Sequence, residues 1–176
     1  IVGSACEAGE LFRAVLKGDG EDRLSKIASF YDYLEVQPIG NNAFLMREEK
    51  FPQIQTEEDL RNLNRAIVRL SEELGKPCVA TGDVHFKEPE DEYYRRIVMA
   101  SQNYSDADLQ APLYFKTTEE MLDEFSYLGT EKARDIVIVQ PSAIAEQCEM
   151  LKPFPFETCA PIIEGAEEEL VQSTMQ

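Results

Sequence analysis

The strongest local signal in the sequence is a long amphipathic helix that leads directly into a short apolar strand. Within residues 56–75, large aliphatic side chains recur every three or four positions, at Leu60, Leu63, Ile67, Leu70 and Leu74. This spacing is typical of a helix with one buried face. Thr56 is the predicted N-cap and Gly75 the predicted end.

The strand that follows this helix is apolar enough to be buried on both faces. Lys76-Pro77 turns the chain into CVATGD, residues 78–83. A strand that is apolar throughout needs cover on both faces, which is the usual situation in parallel sheets. The helix and strand together therefore predict an α/β fold.

The remaining pattern predicts a mixed series of elements along the chain. Strands are expected at 1–6 and 33–39, and a loop at 40–44. Helices are expected at 7–18, 21–31, 89–102 and 117–129, two helical runs at 130–140 and 141–151 separated by Pro141, and a final helix that starts within 164–172. Residues 105–116 are expected to form a loop with an extended piece.

The charge of the chain argues against direct contact with nucleic acid. There are 34 acidic and 17 basic residues, and the formal net charge is −17. Such a chain repels a phosphate backbone unless cations or other protein segments intervene. The pair Arg95-Arg96 is too small to be a nucleic-acid footprint. A plainer interpretation is that the acidity keeps the protein in solution.

Cysteine usage favours a reducing, cytoplasmic location. The four cysteines are far apart, form no CxxC pair and follow no signal peptide; they are Cys6, Cys78, Cys148 and Cys159. No run of about 18 apolar residues is present, so no membrane span is expected. The chain begins with Ile-Val-Gly and no initiator Met, which indicates a piece of a longer protein.

The single histidine lies two positions after an aspartate, at the end of the apolar strand. Asp83 and His85 therefore lie on one face of an extended segment, and a carboxylate and an imidazole aimed together can bind a divalent metal such as zinc. The alternative is a structural histidine and a capping aspartate. Cys6 also follows a short apolar strand, where a helix N-terminus would stabilise its thiolate; the alternative is a buried, inert thiol.

Several separated blocks of sequence resemble one known domain. Six blocks resemble, in the same order, the polymerase and histidinol phosphatase (PHP) domain of PolC-type bacterial DNA polymerase III alpha subunits. These blocks are GSACEAGELF, YLEVQPIGNNAF, EEDLRNLNRAIVRL, GKPCVATGDVHF, PEDEYYRRI and PLYFKTTEEMLDEFSYLG. The similarity runs through nearly the whole chain. A lone Asp-x-His pair would be far less specific.

The resemblance implies a fold and a set of metal ligands. It implies a partial TIM-like barrel, a distorted (β/α)7 barrel represented here by its later βα units. Up to three divalent ions, zinc or manganese, bind at the carboxyl ends of the strands in a complete domain. Cys6 matches the third ligand motif, and Asp83 and His85 match the fourth; Glu7 and Glu10 are neighbouring acidic candidates for a supporting role.

The resemblance also implies how the chain fits into a larger protein. Residues 1–152 correspond to the C-terminal portion of the PHP domain, and 153–176 to a Pro-rich linker and the start of the polymerase core. The earlier ligand motifs are absent because this chain is expected to start after them, and the resemblance implies that a proofreading exonuclease is inserted between them and this region. The implied partners are those motifs, the exonuclease and the core, with DNA contacted through the parent protein. Unpaired strand edges also predict a homodimer.

The implied function is that of a replicative DNA polymerase segment. The parent is a DNA-directed DNA polymerase, a nucleotidyltransferase, and the domain either hydrolyses phosphoesters or supports the polymerase through a metal. The isolated chain is expected to be inactive, with one zinc held by Cys6, Asp83, His85 and a water, or with none. Two alternatives stay open: a stand-alone phosphatase of the histidinol-phosphatase type, and a metal-free interaction domain.

Overall fold

A computed structural model of the protein describes residues 1–154 and 163–175. The helices are α1 (Glu10–Lys17), α2 (Glu21–Ser29), α3 (Glu57–Glu73), α4 (Glu92–Ser101), α5 (Thr118–Glu124), α6 (Thr130–Arg134), α7 (Gln140–Glu146) and α8 (Ala166–Thr174), and the strands are β1 (Leu34–Val36) and β2 (Cys78–Ala80). Shorter 3-10 helices span Ile39–Arg47, Pro89–Asp91 and Ser126–Leu128, and a π-helix spans Asp135–Val139.

Three parallel extended segments form the centre of the fold. β1 pairs with β2 in a parallel register that aligns Leu34 with Cys78. On the other edge of β1, Gly3 forms a parallel bridge with Tyr33, and the Glu35 amide donates to Ser4 Oγ over 2.9 Å. Because the three segments run in the same direction, their carboxyl ends meet at one rim.

Helices cover this short sheet and supply most of the core. Leu34 and Val36 of β1 are almost completely buried, α3 packs against β1, and Ile67 of α3 belongs to the same hydrophobic core. The π-helix and α7 pack against β2. The fully buried Phe125 and Ile136 extend the same hydrophobic core into the later helices, so residues distant in sequence share one interior.

The predicted limits of α3 are confirmed by its capping interactions. Thr56 Oγ1 accepts a hydrogen bond from the Asp59 amide over 3.3 Å, and Asp59 Oδ2 accepts one from the Thr56 amide over 2.8 Å. This reciprocal pair satisfies amides that the helix itself leaves free. After the helix, Gly75 has a φ of +62° and turns the chain toward β2.

Several predicted elements differ in the structure. Residues 1–6 form a single bridge instead of a strand, and Ile1 is 62% exposed. Residues 40–44, predicted as a loop, lie within the 3-10 helix Ile39–Arg47.

The two runs expected on either side of Pro141 form one helical path over residues 130–146, which passes through the π-helix. Pro141 lacks the N–H that an α-helix would require, and the wider π-turn accommodates this. The path ends at Glu146, earlier than the predicted residue 151.

The barrel and the domain boundary remain predictions. In residues 1–154 and 163–175 the sheet has two strands. Two isolated parallel bridges lie outside these strands and join Gly3 to Tyr33 and Phe86 to Tyr114. Part of the predicted linker, residues 155–162 with Cys159, lies outside the described residues. The helix predicted to start within 164–172 is present as α8.

Asn64 provides a test of the polar link between α3 and the sheet. Its side chain is buried, and Nδ2 donates to the Gln37 carbonyl and to Tyr127 Oη, each over 2.9 Å. Asn64→Ala would leave the buried Gln37 carbonyl unpaired, so we expect the free energy of unfolding in urea to fall by about 1–3 kcal/mol. Asn62→Ala, on the exposed side of α3, should change it by less than about 0.5 kcal/mol. Equal losses in the two variants would contradict this assignment.

Candidate functional site

The candidate site lies at the rim where the three extended segments end. Cys6 follows the segment that bridges β1, and Asp83 follows β2. The Thr81 amide donates to the Val36 carbonyl over 3.0 Å, which carries the parallel pairing one residue beyond β2. The segments that precede Cys6 and Asp83 therefore end at the same rim.

The turn that carries Asp83 and His85 has an unusual backbone. Asp83 has a φ of +50°, a left-handed conformation that residues other than glycine seldom adopt. His85 Nδ1 lies 2.8 Å from the Asp83 carbonyl oxygen and 3.8 Å from Asp83 Oδ1. With Nδ1–H donating to the carbonyl, the neutral ring directs the lone pair of Nε2 away from this contact. Histidines that bind metals are commonly oriented in this way.

Hydrogen bonds from two neighbouring segments hold the turn in place. Asn41 Nδ2 donates to the Gly82 carbonyl over 3.0 Å, and the His85 amide donates to the Leu113 carbonyl over 2.8 Å. Asn41 is 6% exposed, and its Oδ1 is buried with no partner in the part of the chain that the structure describes. Asn41, Asp83 and His85 line one cavity of about 440 Å³.

The sequence did not indicate a role for Asn41, because the pattern of residues 40–44 is typical of a polar loop. An asparagine in such a run gives no sign that it will be buried against a carbonyl 41 residues later in the chain. Glu35 was also missed, because its alternation with Leu34 and Val36 assigned it to the polar face of a strand. Both residues act through contacts between distant segments.

Cys6 differs from its expected state. α1 begins at Glu10, four positions after Cys6, so the thiol is not at the first turn of the helix. Burial raises the pKa of Cys6, and the acidic neighbours Glu7 and Asp83 raise it further. The expectation of a thiolate stabilised by the helix dipole is therefore wrong for the chain without a bound cation.

The rim concentrates acidic groups that disfavour one another's ionised forms. Burial raises the pKa of Glu35, and the charge of Asp83 adds to this increase, while the hydrogen bond from Thr81 Oγ1 over 2.7 Å opposes it. Glu7 lines the same cavity as Asp83 and His85, whereas Glu10 is exposed on α1. A bound cation would relieve this mutual repulsion.

The described part of the chain does not contain a complete metal site. Within residues 1–154 and 163–175, no group of three or more His, Cys, Asp and Glu side chains is arranged to hold a metal ion. Asp83 and His85 are adjacent, and Cys6 is close enough for the charge of Asp83 to affect it. Their joint coordination of a metal stays a prediction.

Comparison with known proteins finds relatives that cover nearly the whole chain. No protein-family model matches it. The PolC-type DNA polymerase III of Clostridium perfringens is 56% identical over 175 residues, which cover 99% of this chain and 12% of that protein. The corresponding protein of Caldanaerobacter subterraneus is 53% identical over 176 residues, and that of Bacillus subtilis 39% over 179 residues.

By sequence, the chain is homologous to a segment of PolC-type DNA polymerase III proteins. It spans about 12% of the length of these relatives. The resemblance to PolC-type polymerases is thereby confirmed. None of the helices in the described residues is long and apolar enough to cross a membrane.

Glu35 gives a pH-dependent test of the electrostatics at the rim. Because the folded state raises its pKa, stability is lost as the pH rises from the pKa of the unfolded chain through that of the folded chain. Glu35→Gln removes this loss and can keep the contact with Thr81, so we expect a higher free energy of unfolding at pH 7. The gain should shrink as the pH is lowered and Glu35 becomes protonated.

Urea denaturation across a pH series measures this effect. Glu49→Gln changes an exposed carboxylate in the same chain and serves as the matched control. A gain at pH 7 that persists unchanged at low pH, or that the control reproduces, would argue against the electrostatic explanation.

Proposed function

We propose that the chain is the C-terminal portion of the PHP domain of a replicative DNA polymerase and contributes Cys6, Asp83 and His85 to a divalent metal centre. The observation that carries the proposal is the identity of 56% with a PolC-type polymerase over 99% of this chain. Nucleotide addition would then belong to other parts of the polymerase. A cytoplasmic location follows from the same proposal.

The chemistry of the donors supports a metal at this rim. The contact of His85 Nδ1 with the Asp83 carbonyl leaves Nε2 as a neutral nitrogen donor, and Asp83 adds a carboxylate. The thiol of Cys6 would lose its proton on binding. Sulfur, nitrogen and oxygen donors together suit zinc, and manganese is the second candidate. A bound metal would activate water and neutralise charge on a phosphoester.

The proposed role depends on donors from the rest of the polymerase. Because the described residues hold no complete group of ligands, other segments must complete the centre. A full set would allow phosphoester hydrolysis, whereas a partial set would serve to stabilise the domain. The residues of this chain would in either case orient the metal, with Asn41 holding the turn that carries Asp83 and His85.

A metal-free interaction domain is the second candidate. Such a domain would need no ligands beyond those that residues 1–154 and 163–175 contain. A stand-alone phosphatase has less support, because the similar proteins are polymerases and this chain covers 12% of their length.

Metal analysis of the full-length polymerase tests the proposal. We expect Asp83→Ala, His85→Ala and Cys6→Ser each to lower the content of tightly bound zinc or manganese, measured by inductively coupled plasma mass spectrometry. Asp22→Ala and Cys148→Ser change exposed residues of the same types and should leave the metal content unchanged. Normal metal content in all three site variants would favour the metal-free domain.

Hydrolysis of a simple phosphate ester separates the two roles of the metal. If the polymerase hydrolyses p-nitrophenyl phosphate and the three site variants do not, the metal has a catalytic role. If hydrolysis is absent but the same variants lower the melting temperature, the metal has a stabilising role.

A further inference from the structure

The helix α4 exposes an apolar face to solvent. Its four large apolar side chains other than methionine are more than half exposed: Tyr93 61%, Tyr94 66%, Ile97 51% and Val98 54%. These four residues are called the α4 face. The structure describes α4 throughout, and none of its ten residues is buried. A helix this short is marginal in water unless other parts of a protein pack against it.

The α4 face is separate from the side of the helix that contacts the rest of the chain. At 100° per residue, the four side chains lie within an arc of about 140°. The other side is held by polar contacts. Arg96 pairs with Asp108 over 2.8 Å, Arg95 bonds Gln110, and Gln110 Nε2 contacts Met99 Sδ over 3.2 Å. The side chains of the α4 face therefore take no part in the contacts that hold the helix to the rest of the chain.

Acidic residues outnumber basic ones in the sequence around the α4 face. Residues 87–108 contain six acidic and three basic side chains. Glu90, just before α4, is exposed, and Arg96 is already paired with Asp108. An apolar face with an acidic border fits a partner whose apolar side chains are bordered by Lys and Arg.

This border disfavours a second copy of the chain as the partner. Two copies would bring together chains of net charge −17 and two acidic borders. The relatives are polymerases of which this chain covers 12%, so most of such a polymerase lies outside this sequence. A partner within the same polypeptide is also held near the α4 face at a high effective concentration.

We propose that the α4 face docks against another part of the same polymerase chain, an apolar surface bordered by basic residues. This rests on the proposed function only in that the chain is taken as part of a polymerase. Tyr94 and Ile97 form the apolar contact, and Glu90 selects the basic border. Tyrosine and isoleucine suit the desolvated centre of such an interface, with charges at its edge.

Cysteine labelling in the full-length polymerase tests the docking. In I97C and, separately, Y94C, the rate of modification by a maleimide is followed by peptide mass spectrometry and compared with the rate for the same variant unfolded in urea. Docking is expected to slow labelling at least about tenfold, because the thiol must wait for local opening. F30C replaces a side chain that is 75% exposed at the end of α2 and is the matched control.

Two outcomes would overturn the proposal. Labelling of both α4 variants as fast as in urea would mean that the α4 face is free in the polymerase. Protection that appears only as the protein concentration rises, with a dimer in size-exclusion chromatography, would identify a second copy as the partner. Protection that is independent of concentration supports docking within one chain.

Charge reversal tests the chemistry of the partner. In the I97C background, Glu90→Lys is expected to increase the labelling rate, because it places a positive charge against a basic border. Glu49→Lys makes the same change at an exposed position outside α4 and should have no effect. An unchanged labelling rate with Glu90→Lys would contradict the inference that basic residues border the partner surface.

Metal content distinguishes this proposal from the proposed metal centre. A polymerase that binds metal normally but labels freely at position 97 refutes docking alone. One that lacks metal but protects position 97 refutes the metal centre alone.

Discussion

The parallel pairing of β1 and β2 is the constraint on which the rest of the structure depends. It fixes Leu34 opposite Cys78 and requires α3 to connect the two strands across the sheet. Together with the bridge at Gly3, it brings three carboxyl ends to one rim. Cys6 and Asp83 are 77 positions apart in the chain, and this shared direction is what brings both to the same rim.

The same constraint makes the rim electrostatically unfavourable. Glu35 is held partly buried beside Thr81. Burial raises the pKa of both Glu35 and Cys6, and the charge of Asp83 adds to the increase. Asp83 also adopts a left-handed backbone conformation. Strain and charge crowding of this kind persist because the surrounding structure, including Asn41, over-determines the turn. Such features are more frequent at functional sites than elsewhere in proteins.

The sequence predicts those features that depend on local pattern. The limits of α3 follow from Thr56 and Gly75, and the position of Asp83 at the end of a buried strand follows from the apolar run before it. Asn41 and the π-helix could not be predicted in this way. The burial of Asn41 depends on a carbonyl 41 residues away, and the helical path through Pro141 depends on packing against β2. Tertiary contacts decide both features.

The side of α4 away from the α4 face lines the cavity that contains the candidate metal centre. Met99 and Gln110, which α4 and the following loop contribute, line the cavity that also contains Asp83 and His85. The His85 amide is bonded to Leu113 in the same loop. A surface that packs on the α4 face would therefore restrict the loop that holds His85. Docking and metal binding would then both order this loop. Either event would lower the entropy cost of the other, because the loop would already be restricted.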